Sequence, residues 1–224
     1  PVILLDDADI DVAVDGALFG CMLYSGQICE SGTRLLVPAA IHDDVVARLV
    51  ERARTITLGD PADFDTDMGP VVSAGQRDRI LDYVRSGVEE GATLALGGGS
   101  PQRPGFERGF WIEPTIFTDV TNDMRIAREE IFGPVLSILT YEDEDDAVAI
   151  ANDTVYGLSA GVYAADKDRA LALGRRLDSG QVDINGPHFN ALAPFGGYKQ
   201  SGIGREYGKY GLEEFLEVKS MQIP

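Results

Sequence analysis

One cysteine stands in the run Gly26-Gln27-Ile28-Cys29-Glu30-Ser31-Gly32-Thr33-Arg34. A thiolate is a strong nucleophile and a thiol a weak one, and an unperturbed thiol ionises near pH ~8.5. To attack a carbonyl, Cys29 needs a neighbouring base or a site that favours the anion. Arg34 is the nearest cation in sequence, but a residue further along a strand need not point back. The amide of Cys29 can donate to the oxyanion that such an attack forms. Taken alone, the residue fits a buried structural thiol as well, because cysteine is among the most buried residue types. Cys21, the other cysteine, recurs with apolar residues at helical spacing and reads as core.

A second cluster is Glu129-Glu130-Ile131-Phe132-Gly133-Pro134. A carboxylate can hold a ribose diol through both oxygens, and an aromatic ring can brace a planar one. The same residues also fit a helix end with solvated carboxylates. A third cluster, Pro194-Phe195-Gly196-Gly197-Tyr198-Lys199-Gln200-Ser201-Gly202, mixes aromatics with glycines and suits a pocket lip or a structured loop. Metal binding is not indicated. The histidines His42 and His188 and the two cysteines show no ligand spacing. His42 reads as a surface residue at a helix start, and His188 as a solvated loop residue. No Gly-x-Ser-x-Gly elbow, phosphate loop or Rossmann glycine fingerprint occurs.

The chain has 224 residues, 37 Asp plus Glu against 19 Lys plus Arg, and a net charge of −18. Such acidity opposes nucleic acid and anionic membrane surfaces as partners. No apolar run approaches the ~20 residues that span a bilayer. Two cysteines point to a reducing, cytoplasmic setting rather than a disulfide framework.

The elements that must position these residues alternate. Short apolar runs predict strands over 2–5, 33–37, 93–96, 134–139, 158–163 and 181–185. Helical periodicity predicts helices over 10–22, 41–53, 76–90, 143–152, 166–177 and 206–215. In the third of these, Ile80, Val84 and Val88 should face inward. Residues 110–117 read as a strand that Pro114 limits to an edge or a bend. Residues 186–204 form a long Gly- and Pro-containing loop, a kind that is usually functional. The strand-like stretch 216–223 has no evident partner in this order. The alternation predicts an α/β fold of three layers (αβα) around a mostly parallel open sheet.

Taken in order, the motifs resemble those of the aldehyde dehydrogenase superfamily. Gly26-Gln27-Ile28-Cys29 is similar to its nucleophile motif, and Glu130-Ile131-Phe132-Gly133-Pro134 to its cofactor-contacting motif. Pro194–Lys199, Ser201-Gly202, Gly204-Arg205-Glu206, Gly211-Leu212 and Lys219 are similar to its C-terminal signature. Leu58-Gly59-Asp60-Pro61 and Gly69-Pro70 also match. The resemblance implies that Cys29 is the nucleophile and that its amide is half of an oxyanion hole. It implies that Glu130 holds the nicotinamide ribose of NAD or NADP, with Phe132 packed near it. Gln76 and Arg79 look like further cofactor contacts, and Phe195 would line the aldehyde site. The implied reaction is oxidation of an aldehyde to a carboxylic acid through a thiohemiacetal and a thioester. A CoA-acylating relative and a non-catalytic structural relative are the alternatives.

The resemblance further implies residues 1–204 as a catalytic domain and 205–224 as a C-terminal helix and oligomerisation strand. That strand would build homo-dimers or homo-tetramers. The sequence opens Pro1-Val2-Ile3-Leu4-Leu5 without an initiator Met or a signal peptide, as though a strand were already under way. Family members are about twice as long. The expectation is therefore a catalytic domain whose general base and most of whose NAD or NADP site lie upstream, and whose isolated form is inactive. Ser31 departs from the small Ala or Gly usual two residues after the cysteine. Glu30 would oppose thiolate formation if it faced inward, and is expected to face outward.

Overall fold

The computed structural model describes all 224 residues. Its strands are β1 (Val2–Leu4), β2 (Arg34–Pro38), β3 (Thr93–Leu96), β4 (Thr115–Thr118), β5 (Val135–Tyr141), β6 (Ser159–Tyr163) and β7 (Gln181–Ile184). The helices are α1 (Ile10–Met22), α2 (His42–Ala53), α3 (Ala74–Glu89), α4 (Arg125–Arg128), α5 (Glu144–Asn152), α6 (Lys167–Gly174) and α7 (Gly208–Glu213). The strands form one seven-stranded sheet in the order β3-β4-β5-β2-β1-β6-β7. Every pairing is parallel except β3 with β4 at one edge.

The central strands are apolar on both faces because both are covered. Along β2, Leu35 and Val37 enter one core and Leu36 the other. Along β5, Leu136 and Ile138 enter the first, Val135 and Leu139 the second. The first core takes Ala13 and Val14 of α1 and Val45 and Leu49 of α2. The second takes Ile80 of α3, Ala147 of α5 and Ala170 of α6. The alternation along each strand thus sorts side chains between two helical layers, which gives the expected three-layer αβα architecture. Acidic or hydroxyl caps start α1, α3, α5 and α6: Asp9, for example, accepts from the amides of Asp11 and Val12, and Ser73 from that of Gln76.

Three expectations differ. The strand expected over 110–117 is confined to Thr115–Thr118 and lies between β3 and β5, not at an edge. Pro114 falls just before the ladder, where its missing N–H breaks no pairing. Val88 points outward at 52% exposure, because α3 turns its buried face through Ile80, Tyr83, Val84 and Gly87 instead. Residues 216–223 form no strand and are exposed, since no sheet edge within the chain receives them. No helix is long and apolar enough to cross a membrane.

Candidate active site

Cys29 follows α1 through an unusual corner. Tyr24, Ser25 and Gly26 have φ of 51°, 59° and 69°, three left-handed residues in succession. Each non-glycine residue there costs about 1–2 kcal/mol and must be held by its surroundings. Ser25 Oγ donates to the Gly69 carbonyl at 2.9 Å. Gln27 accepts from the Val72 amide at 3.0 Å and donates to the Tyr24 carbonyl at 3.2 Å. The Gly69-Pro70 motif therefore serves the cysteine: its loop clamps the corner that presents the thiol. Ser31 Oγ donates to the Gly20 carbonyl at 2.9 Å, satisfying an acceptor in the last turn of α1. This gives the unexpected hydroxyl at position 31 a local role.

The Cys29 thiol is exposed, whereas Cys21 is fully buried. The Cys29 amide donates to no backbone acceptor. Arg34 does not serve the thiol. It is buried in the cleft wall, with Nη2 donating to Asn122 Oδ1 at 2.6 Å and to the Ile150 carbonyl at 2.8 Å. Burial lowers its guanidinium to about 10, still charged at neutral pH.

The acidic pair divides its labour. Glu129 Oε2 accepts from Tyr83 Oη at 2.8 Å and from Arg125 Nε at 3.3 Å. The Tyr83 hydroxyl, then Arg125, hold that carboxyl below the ordinary carboxylate range. Glu130 is exposed, and its carboxylate has no bond from a protein donor. Phe132 follows at φ 59° and is 37% exposed. Two bare backbones then bring the clusters together. A β-carbon built on Gly26 would overlap the carbonyl carbon and oxygen of Gly133, and one on Gly133 would overlap Ile80 Cδ1.

The result is one cleft of about 310 Å³, with Cys29, Glu130, Phe132, Arg34, Tyr156 and Ser201 on its walls. It opens at the N-terminal ends of β2, β5 and β6, the reverse of the usual carboxyl-end crevice of open α/β sheets. Gln76 and Arg79 do not line it. They stand behind the turn, donating to its carbonyls. Phe195 does not line it either. It pairs with Glu206 in a backbone bridge and sets its ring edge-on to Tyr207 at 6.3 Å. From the same loop Gln200 and Ser201 reach the wall instead.

The stretch Tyr156–Ser159, which leads into β6, was not singled out from sequence as part of a site. Its signal was Gly157, whose β-carbon would overlap the Asp178 carbonyl, and whose amide donates to Ser201 Oγ at 2.9 Å. Two side chains lie otherwise than expected. Glu30 is partly buried rather than fully outward, and desolvation, then Asp183, push its carboxyl up. His42 is not a surface residue: its side chain is 14% exposed and its Nε2 lies 2.6 Å from Thr118 Oγ1. His188 is exposed, and no cluster of His, Cys, Asp and Glu is placed to hold a metal. Arg205 Nη1 donates to the Gly197 carbonyl at 3.1 Å.

The model of the Aldehyde dehydrogenase family matches residues 1–221. A betaine aldehyde dehydrogenase of Brucella anthropi is 50% identical over 224 residues, all of this chain and 46% of that protein. Among solved structures, an NAD+ complex of a Mycobacterium tuberculosis aldehyde dehydrogenase superposes with a TM-score of 0.96 at 43% identity, covering 100% of this chain and 46% of that one. A mutant of Aldehyde Dehydrogenase C from Pseudomonas syringae, complexed with NAD+ and octanal, gives a TM-score of 0.94 at 46% identity, covering 98% and 45%. The chain thus spans less than half the length of the relatives it matches.

Proposed function

Since the chain belongs to the aldehyde dehydrogenase family, we propose that it supplies the thiol-bearing half of an enzyme that oxidises an aldehyde to a carboxylic acid with NAD or NADP. The observation that carries this is the shared cleft. Cys29, with a free thiol and a free amide, faces the same 310 Å³ space as the unbonded Glu130 carboxylate and the Phe132 ring.

The residues present fit a nicotinamide dinucleotide. Glu130 offers both oxygens to a ribose diol, and Phe132 offers an aromatic face. When bound, the dinucleotide supplies an acceptor for one hydride. The Cys29 thiolate adds to the aldehyde carbon, and the carbonyl π pair moves to oxygen, where the Cys29 amide stabilises the charge. This forms a thiohemiacetal. Its carbon then gives up hydride as the C–O⁻ pair re-forms the carbonyl, leaving a thioester on Cys29. Water adds to the thioester, the sulfur leaves as thiolate, and the carboxylic acid departs. The aldehyde loses two electrons and the nicotinamide gains them.

The general base and the rest of the cofactor site we assign to the length that the relatives have beyond this chain. The free thiols Cys21 and Cys29 favour the cytoplasm. The exposed apolar tail supports assembly into homo-dimers or homo-tetramers. The test is NADH formation by the full-length protein with an aldehyde substrate, before and after Cys29→Ala. The substitution should abolish turnover while leaving cofactor binding intact. Retention of most of the turnover would remove Cys29 from the mechanism.

A further inference from the structure

A second cavity, of about 530 Å³, shares no residue with the Cys29 cleft. It lies between the C-terminal end of α2 and the end of β3, with residues 101–103 and 113–114 closing its side. Its floor is apolar, built from Ile56, Leu58, Leu96, Pro101 and Pro114. Leu58 is part of the core that α1 and α2 cover, and Ile56 and Leu96 pack against that core. The wall is held by hydrogen bonds. The Gly98 amide donates to Thr115 Oγ1 at 3.0 Å, the Glu113 amide to the Gly99 carbonyl at 2.9 Å, and Ser100 Oγ to the Trp111 carbonyl at 2.7 Å.

Three charged side chains line this cavity: Arg54, Arg103 and Glu113. Arg48 and Arg52, on the preceding turns of α2, pair with Asp11, Asp44 and Asp15. Arg54 pairs with no carboxylate. Arg103 sets its guanidinium 4.9 Å from the Phe106 ring centroid, a contact that leaves its N–H donors unused. Neither arginine pairs with Glu113, although all three share the cavity. In a chain with a net charge of −18, this cavity is thus a local site of positive charge. One exposed arginine is an ordinary solvated residue. Two unpaired ones above an apolar floor suit a ligand with an anionic head and a hydrocarbon body.

The volume lies within the ~300–1,000 Å³ usual for small-molecule sites. A guanidinium donates to a carboxylate through two parallel N–H groups. Two guanidiniums against one carboxylate leave room for a single negative charge, and a dianionic head would be repelled by Glu113. We propose that this cavity binds an amphipathic monocarboxylate of the fatty-acid class. Arg54 and Arg103 hold the head, and the hydrocarbon lies on Leu58 and Leu96. The site is independent of the Cys29 chemistry, because the two share no wall.

The experiment is calorimetric titration of the full-length protein with sodium decanoate, before and after iodoacetamide blocks Cys29. Binding should saturate with a Kd below about 1 mM and be the same in both preparations. Arg54→Gln/Arg103→Gln should weaken it at least about tenfold. Arg54→Lys/Arg103→Lys, which keeps the charge and loses the paired donors, should fall between the two. Both sites are exposed, so melting of the unliganded variants should match that of the parent. Glu113→Gln removes a repulsive charge and should tighten binding about threefold. Butyrate should bind at least about tenfold more weakly than decanoate, since each buried methylene strengthens binding about fourfold. Decylammonium, with the same tail and the opposite charge, should not bind. Absence of saturable decanoate binding overturns the proposal. Binding that blocked Cys29 abolishes, or that the arginine variants leave unchanged, places the probe elsewhere and overturns it too. Weaker binding in Glu113→Gln, or decylammonium binding as well as decanoate, contradicts the charge argument and has the same consequence.

Discussion

Gly26 and Gly133 meet backbone to backbone, with no room for a side chain between them. A β-carbon on Gly26 would overlap the Gly133 carbonyl, and Gly26 is itself at φ +69°. This contact joins the corner that presents Cys29 to the turn that presents Glu130 and Phe132. The distance between the Cys29 thiol and the Glu130 and Phe132 side chains is therefore set by main chain, which has fewer rotational freedoms than side chains.

Gly26→Ala should consequently destabilise the chain by about 2–4 kcal/mol, from left-handed strain and overpacking together. Urea unfolding measures this. Gly75→Ala is the control: its added β-carbon meets only Ser73 Oγ, at 4.0 Å, and it lies in the first turn of α3. It should be neutral or stabilising by about 0.5–1 kcal/mol. Equal losses at the two positions would show that the Gly26–Gly133 contact is not tight.

The two thiols should separate cleanly by reactivity. Cys21 is 0% exposed, and burial pushes its thiol up to about 12, so at pH 8 roughly one molecule in ten thousand is thiolate. Cys29 is exposed. Iodoacetamide should add one group per folded chain, at Cys29, and two in denaturant, as intact-mass spectrometry resolves. Labelling of Cys21 in the folded protein at a rate near that of Cys29 would place Cys21 outside the core.

The sheet and its helical layers were legible because both periodicities are strong. The run Leu35-Leu36-Val37 announces a strand buried on both faces, and Ile80 with Val84 announces the inner face of α3. Cys29, Glu130 and Phe132 were legible as motifs, and the structure puts them on one cleft. What sequence hid was direction. Gln76 and Arg79 were read as cofactor contacts, and the structure sets their donors on the carbonyls of the turn, a placement that depends on tertiary structure. Phe195 set its ring against Tyr207 for the same reason, and Glu30 is partly buried. The tail 216–223 has strand-like composition without a ladder, because it pairs with neither edge strand of the chain's own sheet, β3 or β7.

Asp183 supplies a pH test. It is half-buried on β7, and desolvation raises its carboxyl above the ordinary value, against a lowering hydrogen bond from Gln181. A raised carboxyl means that the folded state binds more protons than the unfolded state through that window. Stability therefore falls as pH rises from the unfolded pKa through the folded one. Asp183→Asn removes the penalty, so at pH 7 it should raise the melting temperature by a few degrees. The gain should fade as pH drops toward the ordinary carboxylate value of 3.8. A gain that is the same at pH 7 and pH 4, or a loss at pH 7, would contradict the burial of this group.

The C-terminal tail tests the assembly proposal. Val218 is 96% exposed, Met221 85% and Ile223 90%, and no residue of the same chain covers them. Isolated exposed apolar residues are ordinary, but an unpaired stretch with several of them invites a sheet edge of another molecule. Deleting residues 216–224 from the full-length protein should lower its mass in solution by light scattering to a smaller assembly. The tail contributes nothing to either buried core, so unfolding of the chain itself should shift by less than about 0.5 kcal/mol. An unchanged assembly after the deletion would move the subunit contact elsewhere. A large loss of chain stability would mean that the tail packs on its own domain.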